Sequence, residues 1–319
     1  MLDEMKAHAW PALPLDDWLP TYATLHRWMQ IVGKTRLGLA PFENHWWHCA
    51  LYVTARGLTT SPMPYRDGTV EIELDILADL LVTRTSGGEI RSLRLEDKSV
   101  ADFYREYRAL LAELGVEVHI VPTPNELPDA TPFPEDQDHK TYDADAVHRW
   151  WHAVVEVDRL LKRFRGGFTG KCSPSHFWWG AFDLACTRFS GRSAPRHPGG
   201  APNCPDYVMR EAYSHECISA GWWPGTAGSP VTEPAFYAYA YPEPPGCNVA
   251  AILPAGAFYH QEMREWILPY EAVRTSGDPD RMVTEFLVST YETAAALGAW
   301  DTAALRSRRG AIPSEQRLP

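Results

Sequence analysis

The run HWWHCALYVTARGLTT, residues 45–60, aligns without a gap on HFWWGAFDLACTRFSG, residues 176–191. Both are aromatic at the start and alternate beyond it with the period of a half-buried strand. Other matches flank this one. His26-Arg27-Trp28 recurs ahead of it as His148-Arg149-Trp150, and VADFYREYRALLAELG from Val100 recurs behind it as VTEFLVSTYETAAALG from Val283. Three matches in one order predict a duplicated unit that closes on its twin and leaves a groove between the copies. The expected fold is α+β: an internally duplicated helix–antiparallel strands–helix unit forming a pseudo-two-fold sheet or barrel with helices outside. The first repeat is read over 1–121, a Pro- and Asp-rich linker over 122–143, the second repeat over 144–306 and a frayed tail over 307–319.

Local patterns fill in the units. Leu25, Trp28 and Val32 have helical spacing, ending near Gly33. A strand is predicted over 46–58, another over 69–76, and a hairpin of 80–85 with 90–95 around Ser86-Gly87-Gly88. Ser99 with Asp102 caps a helix that stops at Gly115, and 116–121 reads as one more strand. In the second half, Val147, Trp150, Val154, Val157, Leu161 and Phe164 make the apolar stripe of a long helix. Strands are read over 176–189, 212–221 and 236–241, and 266–273 is matched to the Ile90 strand. Asp278-Pro279 opens the last long helix, which ends at Gly298. Residues 122–143 are either a linker or an ordered arm over the first half.

A net charge of -11 argues against nucleic acid or an anionic membrane surface as a partner. No apolar run reaches the roughly 18 residues of a membrane span, and the early acids Asp3 and Glu4 argue against a secretory signal. The six cysteines form no CxxC pair and read as reduced core thiols, so a cytoplasmic protein is expected. Many of the 13 tryptophans fall in doublets: Trp46-Trp47, Trp150-Trp151, Trp178-Trp179 and Trp222-Trp223. On a strand a doublet puts one ring in the core and one on the second face, which either helices or a pocket must cover.

Four segments also carry a resemblance. They are residues 44–60, KCSPSHFWWGAFDLACTRFSGR from Lys171, REAYSHECISAGWWPG from Arg210 and PAFYAYAYPEP from Pro234. Together they resemble an uncharacterised bacterial protein family over nearly the whole chain. The resemblance implies a complete, soluble, standalone bacterial protein and carries no substrate, cofactor or catalytic assignment.

Chemistry is therefore read from the residues. One strand face carries Trp46, His48, Tyr52, Thr54 and Arg56, and its match carries Phe177, Trp179, Asp183 and Thr187. Such faces either line a small-molecule pocket or lie under helices with their polar groups paired locally. Tyr237, Tyr239 and Tyr241 share one face, which lines the groove or is a wet sheet surface. In Tyr213-Ser214-His215-Glu216, a cavity-facing His215 or Glu216 could serve as base or acid; the alternative is a structural His and a Glu paired with an Arg.

The predicted catalytic residues are His176, His215 and Glu216. Arg188 is expected to hold an anionic group, with Trp179, Asp183, His48, Tyr52, Tyr237 and Tyr239 completing the substrate-binding walls. Lys171, Arg192 and Arg196 are either part of a lid over that group or ordinary surface residues. No Walker A, GxGxxG or GxSxG pattern occurs, so no cofactor is predicted. A metal held by His45, His48, His176, His215 and Glu216 stays open as an alternative, although no HxH or HExxH spacing supports it. The expected function is an enzyme using acid–base groups on a small, partly apolar molecule with an anionic group. The alternatives are a non-catalytic small-molecule binding protein, a metal-dependent enzyme, or an interaction module with an exposed aromatic interface.

Overall fold

Alternating apolar residues put the strands into two antiparallel sheets. In the computed structural model, which describes residues 10–307, the first sheet contains β1 Tyr52–Val53, β2 Gly57–Thr59, β3 Met63–Tyr65, β4 Gly68–Asp75, β5 Leu80–Thr85 and β6 Ile90–Arg94. Its order is β1-β2-β4-β5-β6, with β3 also paired to β4. The second contains β7 His176–Trp178, β8 Asp183–Ser193, β9 His215–Trp223, β10 Ala235–Tyr241, β11 Phe258–His260 and β12 Glu265–Pro269, in the order β11-β12-β10-β9-β8-β7. The helices are α1 Leu19–Leu39, α2 Val100–Glu113, α3 Ala144–Gly166, α4 Asp206–Ala212, α5 Tyr270–Arg274, α6 Pro279–Leu297 and α7 Thr302–Leu305. Three long helices start on side-chain caps that accept an orphan N–H: Ser99 from Asp102, Asp143 from Ala146 and Asp278 from Arg281. No helix among the described residues is long and apolar enough to cross a membrane.

The class is α+β, and each half carries helices and one six-stranded antiparallel sheet. Neither sheet closes into a barrel. The aligned aromatic runs differ in conformation. Residues Asn44–Cys49 form a 3-10 segment, with His45 at φ 58 and Trp46 at φ 61, whereas His176–Trp178 is strand. The cause is docking on α4. The His45 backbone N–H donates to Glu211 Oε1 at 3.1 Å and Trp46 Nε1 donates to the Val208 carbonyl at 2.9 Å. The two runs also meet: Leu51 and Phe177 exchange both backbone hydrogen bonds at 2.9 Å, which links the sheets.

Other local expectations need correction. Residues 116–121 form no strand, and 212–221 opens as the end of α4 before β9 begins. β12 pairs with β10 and β11, and the chain turns helical at Tyr270. Residues 122–143 lie as an ordered arm against α1 and α2. The predicted tail, apart from Ser307, lies outside the described residues.

Helix α1 is buried on nearly every side, so its polar residues need partners. Arg27 reaches Asp129 at 2.8 Å and Asp136 at 3.1 Å. Gln30 and the Asn125 backbone exchange two hydrogen bonds of 2.8 Å. These bonds fasten the arm to α1.

The helix also runs past Gly33, which is not its end. A Cβ there would lie 2.2 Å from Trp179 Cδ1, so the glycine admits the indole against the helix. Gly33→Ala would gain about 1 kcal/mol in helix propensity and lose roughly 1–3 kcal/mol to overpacking. The ring is tethered through Nε1 to the Cys49 carbonyl at 2.8 Å, so the loss should win. Denaturant unfolding should find the variant less stable; a more stable one would mean that Trp179 yields freely.

Candidate functional site

The second sheet has unlike faces, because its register stacks the same parity across four strands. Leu184, Cys186, Ile218, Trp222, Phe236 and Leu268 lie on the face packed by α3 and α6. The other face turns Asp183, Thr187, Ser219, Tyr237, Tyr239 and Glu265 toward a cavity of about 1310 Å³. That exceeds the roughly 300–1,000 Å³ of ordinary ligand pockets. His26 and Lys34 from α1, Asn125 and Glu126 from the arm, and His45 and Trp47 from the first aromatic run are also among its lining residues.

Asp183 opens β8 directly after the turn that carries Trp179 and Gly180. It is buried and accepts a hydrogen bond from the Tyr237 hydroxyl. Burial pushes its carboxyl up to about 7; nearby Glu126 adds to the rise and the Tyr237 bond opposes it. Glu265 opens β12 one residue before Trp266, whose pairing with Ala238 brings Glu265 beside Tyr239. Burial pushes Glu265 up to about 8, with Asp183 adding to the rise. Burial also raises Glu126. Protein atoms crowd Glu126 at the cavity wall, while much of the residue stays accessible to solvent. Gly180 makes room for it: a Cβ there would come within 2.1 Å of Glu126 Oε1. Neither Glu126 nor Glu265 makes a side-chain hydrogen bond or ion pair among the described residues.

The neighbouring groups fix this arrangement. His26 Nε2 lies 3.0 Å from the Trp179 carbonyl and 2.9 Å from the Gly180 carbonyl, which requires an N–H on that nitrogen. Burial pushes His26 down to about 4, so it is a neutral clamp on the turn that presents Asp183. Tyr213 and Tyr239 join their hydroxyls at 2.6 Å, and Thr187 and Ser219 join theirs at 2.9 Å. Lys34 donates to Asn125 Oδ1, and burial lowers it to about 8.

Of the predicted site residues, Trp179, Asp183, Tyr237 and Tyr239 meet at this cavity. The others do not line it. His176 is wholly buried among the rings of Trp47, Tyr52 and Trp178, and burial pushes it down to about 3. His215 pairs through Nδ1 with Ser214 Oγ at 3.1 Å. Glu216 binds Arg192 at 2.6 Å, and Arg192 also donates to the Gly298 carbonyl at the end of α6. Arg188 sits on the helix-covered face, its guanidinium 3.5 Å from the Phe164 ring centroid and 4.3 Å from that of Tyr291. It cannot hold an anion in the cavity. His48 accepts from the Glu43 N–H at 3.2 Å, and Tyr52 lies under Arg36 at 5.2 Å. Among the described residues, no group of three or more His, Cys, Asp or Glu is placed to hold a metal ion.

The Glu216 pair is half open to solvent on its Arg192 side, so its contribution is that of a surface ion pair. Glu216→Gln should therefore cost about 1 kcal/mol or less and leave ligand affinity at the cavity unchanged. A calorimetric titration showing lost affinity in a stable Glu216→Gln protein would return this carboxylate to the site.

Residues 10–307 match the model of a family of unknown function (DUF5996), and the chain belongs to that family. No curated protein matches it, and no solved structure does.

Proposed function

We propose that the chain is an enzyme performing acid–base chemistry on a small, partly apolar molecule bound in this cavity. Asp183 is the proton-transfer group and Tyr237 its partner. One observation carries the reading: Asp183 is buried at the cavity wall with a carboxyl pushed up to about 7, so it gives and takes a proton near neutral pH. Indole and phenol rings would hold the apolar body, and the acids are the groups positioned to reach its reactive atoms. A net charge of -11 supports a ligand other than nucleic acid, and six free cysteines fit a reducing, cytoplasmic setting.

A non-catalytic binding protein is the second reading. The Tyr213–Tyr239 and Thr187–Ser219 hydroxyl pairs favour it, since they orient a ligand without exchanging protons near neutrality. A thermal-shift screen of small metabolites, followed by mass spectrometry of the stabilising compounds, separates the two. The enzyme reading expects at least one compound to be converted by the wild type and not by Asp183→Asn. Recovery of every stabilising compound unchanged would leave a binding protein.

A further inference from the structure

This inference rests on the reading of the cavity as the ligand site and concerns what that ligand is. The cavity lining holds more acid than base. Asp183, Glu126 and Glu265 line it, and the carboxylates of Glu126 and Glu265 have no partner among the described residues. The strongly basic lining residues are both engaged: Arg264 pairs with Glu243, and Lys34 donates to Asn125 while lying 5.5 Å from the Trp179 ring. His26 is held neutral by burial, which outweighs the pull of its two carbonyl acceptors.

The acids stand beside an aromatic wall. Tyr237 and Tyr239 are stacked at 6.1 Å and 13°, and Trp223 leans on Tyr237 at 5.4 Å. Trp223 and Tyr237 belong, with Ala185, Ala235 and Ile267, to a small buried cluster distinct from the main core, with Trp178, Tyr239 and Met263 packed on it. Ring faces are negative, and a desolvated cation against them gains further from nearby carboxylates. An anion would be repelled here, and a neutral molecule would leave the acids to stay protonated, whereas a cation lets them ionise against it.

We infer that the cavity takes an organic cation, an ammonium group on a partly apolar body, seated on the Trp223–Tyr237–Tyr239 wall with Asp183 and Glu265 as its counter-charges. Glu265 is the specificity residue: it faces the cavity, has no partner of its own and is not assigned the proton transfer.

Calorimetric titration of the full chain with benzyltrimethylammonium, benzyl alcohol and benzoate tests this. The cation should bind at least about tenfold more tightly than either of the others. Glu265→Gln should weaken the cation by roughly tenfold or more and leave benzyl alcohol nearly unchanged. Tyr239→Leu, which removes a ring and leaves the acids, should weaken it several-fold, and the melting temperature of each variant checks its fold. Binding of benzoate or benzyl alcohol as tight as that of the cation overturns the proposal and keeps the cavity as a ligand site. So does unchanged cation affinity in both variants, and so does no binding by the cation. Cation binding without conversion of any screened compound would fell the catalytic reading alone.

Discussion

Asp183→Asn is expected to lower turnover of a cavity substrate by roughly 10²–10⁴-fold, the usual worth of a positioned proton-transfer group. The asparagine keeps the size of the side chain and an oxygen to accept from the Tyr237 hydroxyl, so the fold should survive. Its stability should differ from the wild type in a pH-dependent way. The Asp183 carboxyl is raised to about 7 in the folded protein and titrates near ~3.9 when unfolded. Between those values the native state binds the extra proton, so stability falls as pH rises. The contribution is fully present below ~4 and is lost as pH rises through about 7. Glu265 acts in the same direction up to about 8. His26 acts in the opposite direction: it is pushed down to about 4, and its contribution is lost as pH falls through that value, but both proteins share it. Asp183→Asn should therefore gain on the wild type from pH 5 to about pH 7 and level off above it in denaturant unfolding. Parallel pH profiles would mean that Asp183 is ionised throughout, and the proton-transfer role would fall with its premise.

Strand parity explains most of what could be read in advance. Tyr237, Tyr239, Asp183 and Thr187 were assignable to one face because each alternates with apolar neighbours, and the structure puts them on the cavity. The same rule places Arg188 with Leu184 and Cys186, on the covered face, and its guanidinium does lie among Phe164, Phe168 and Tyr291. Charge alone had suggested an anion site there; parity was the better guide. Glu265 follows the same logic, since Glu265 and Ile267 alternate with Trp266 and Leu268 in the short run EWILP. His26, Gln30 and Lys34 recur at four-residue spacing, a polar stripe on α1 that apolar periodicity passes over.

Other features had no local signal. Glu126 lies in an arm without periodicity, and its place depends on Gln30 and on the space left at Gly180. The His45 run has strand composition, yet its contacts with α4 override that preference. Gly33 reads as a helix stop because the ring that needs its space, Trp179, comes from a distant part of the chain.

Trp28→Ala should be among the most damaging single changes to stability, costing about 3–5 kcal/mol. Trp28 is fully buried and joins three parts of the first half. It stacks on Phe103 of α2 at 4.7 Å and 13°, and on Tyr142, at the end of the arm, at 5.7 Å and 21°. Its Nε1–H meets no acceptor among the described residues, so the residue contributes ring area rather than a hydrogen bond. That decides how a second variant should behave. Trp28→Phe also loses volume but removes the orphaned donor, whose burial costs about 1–3 kcal/mol. It should be much milder than Trp28→Ala, and equal losses would show that the N–H is satisfied after all. The effect should also reach the cavity. Tyr142 ends the arm that carries Glu126, and Trp28 shares α1 with His26 and Gln30, which hold the Asp183 turn and the arm. Trp28→Ala measured well below its unfolding midpoint should therefore bind cavity ligands more weakly than Trp28→Phe. Equal affinities would mean that Arg27 and Gln30 hold the arm without help from the stack.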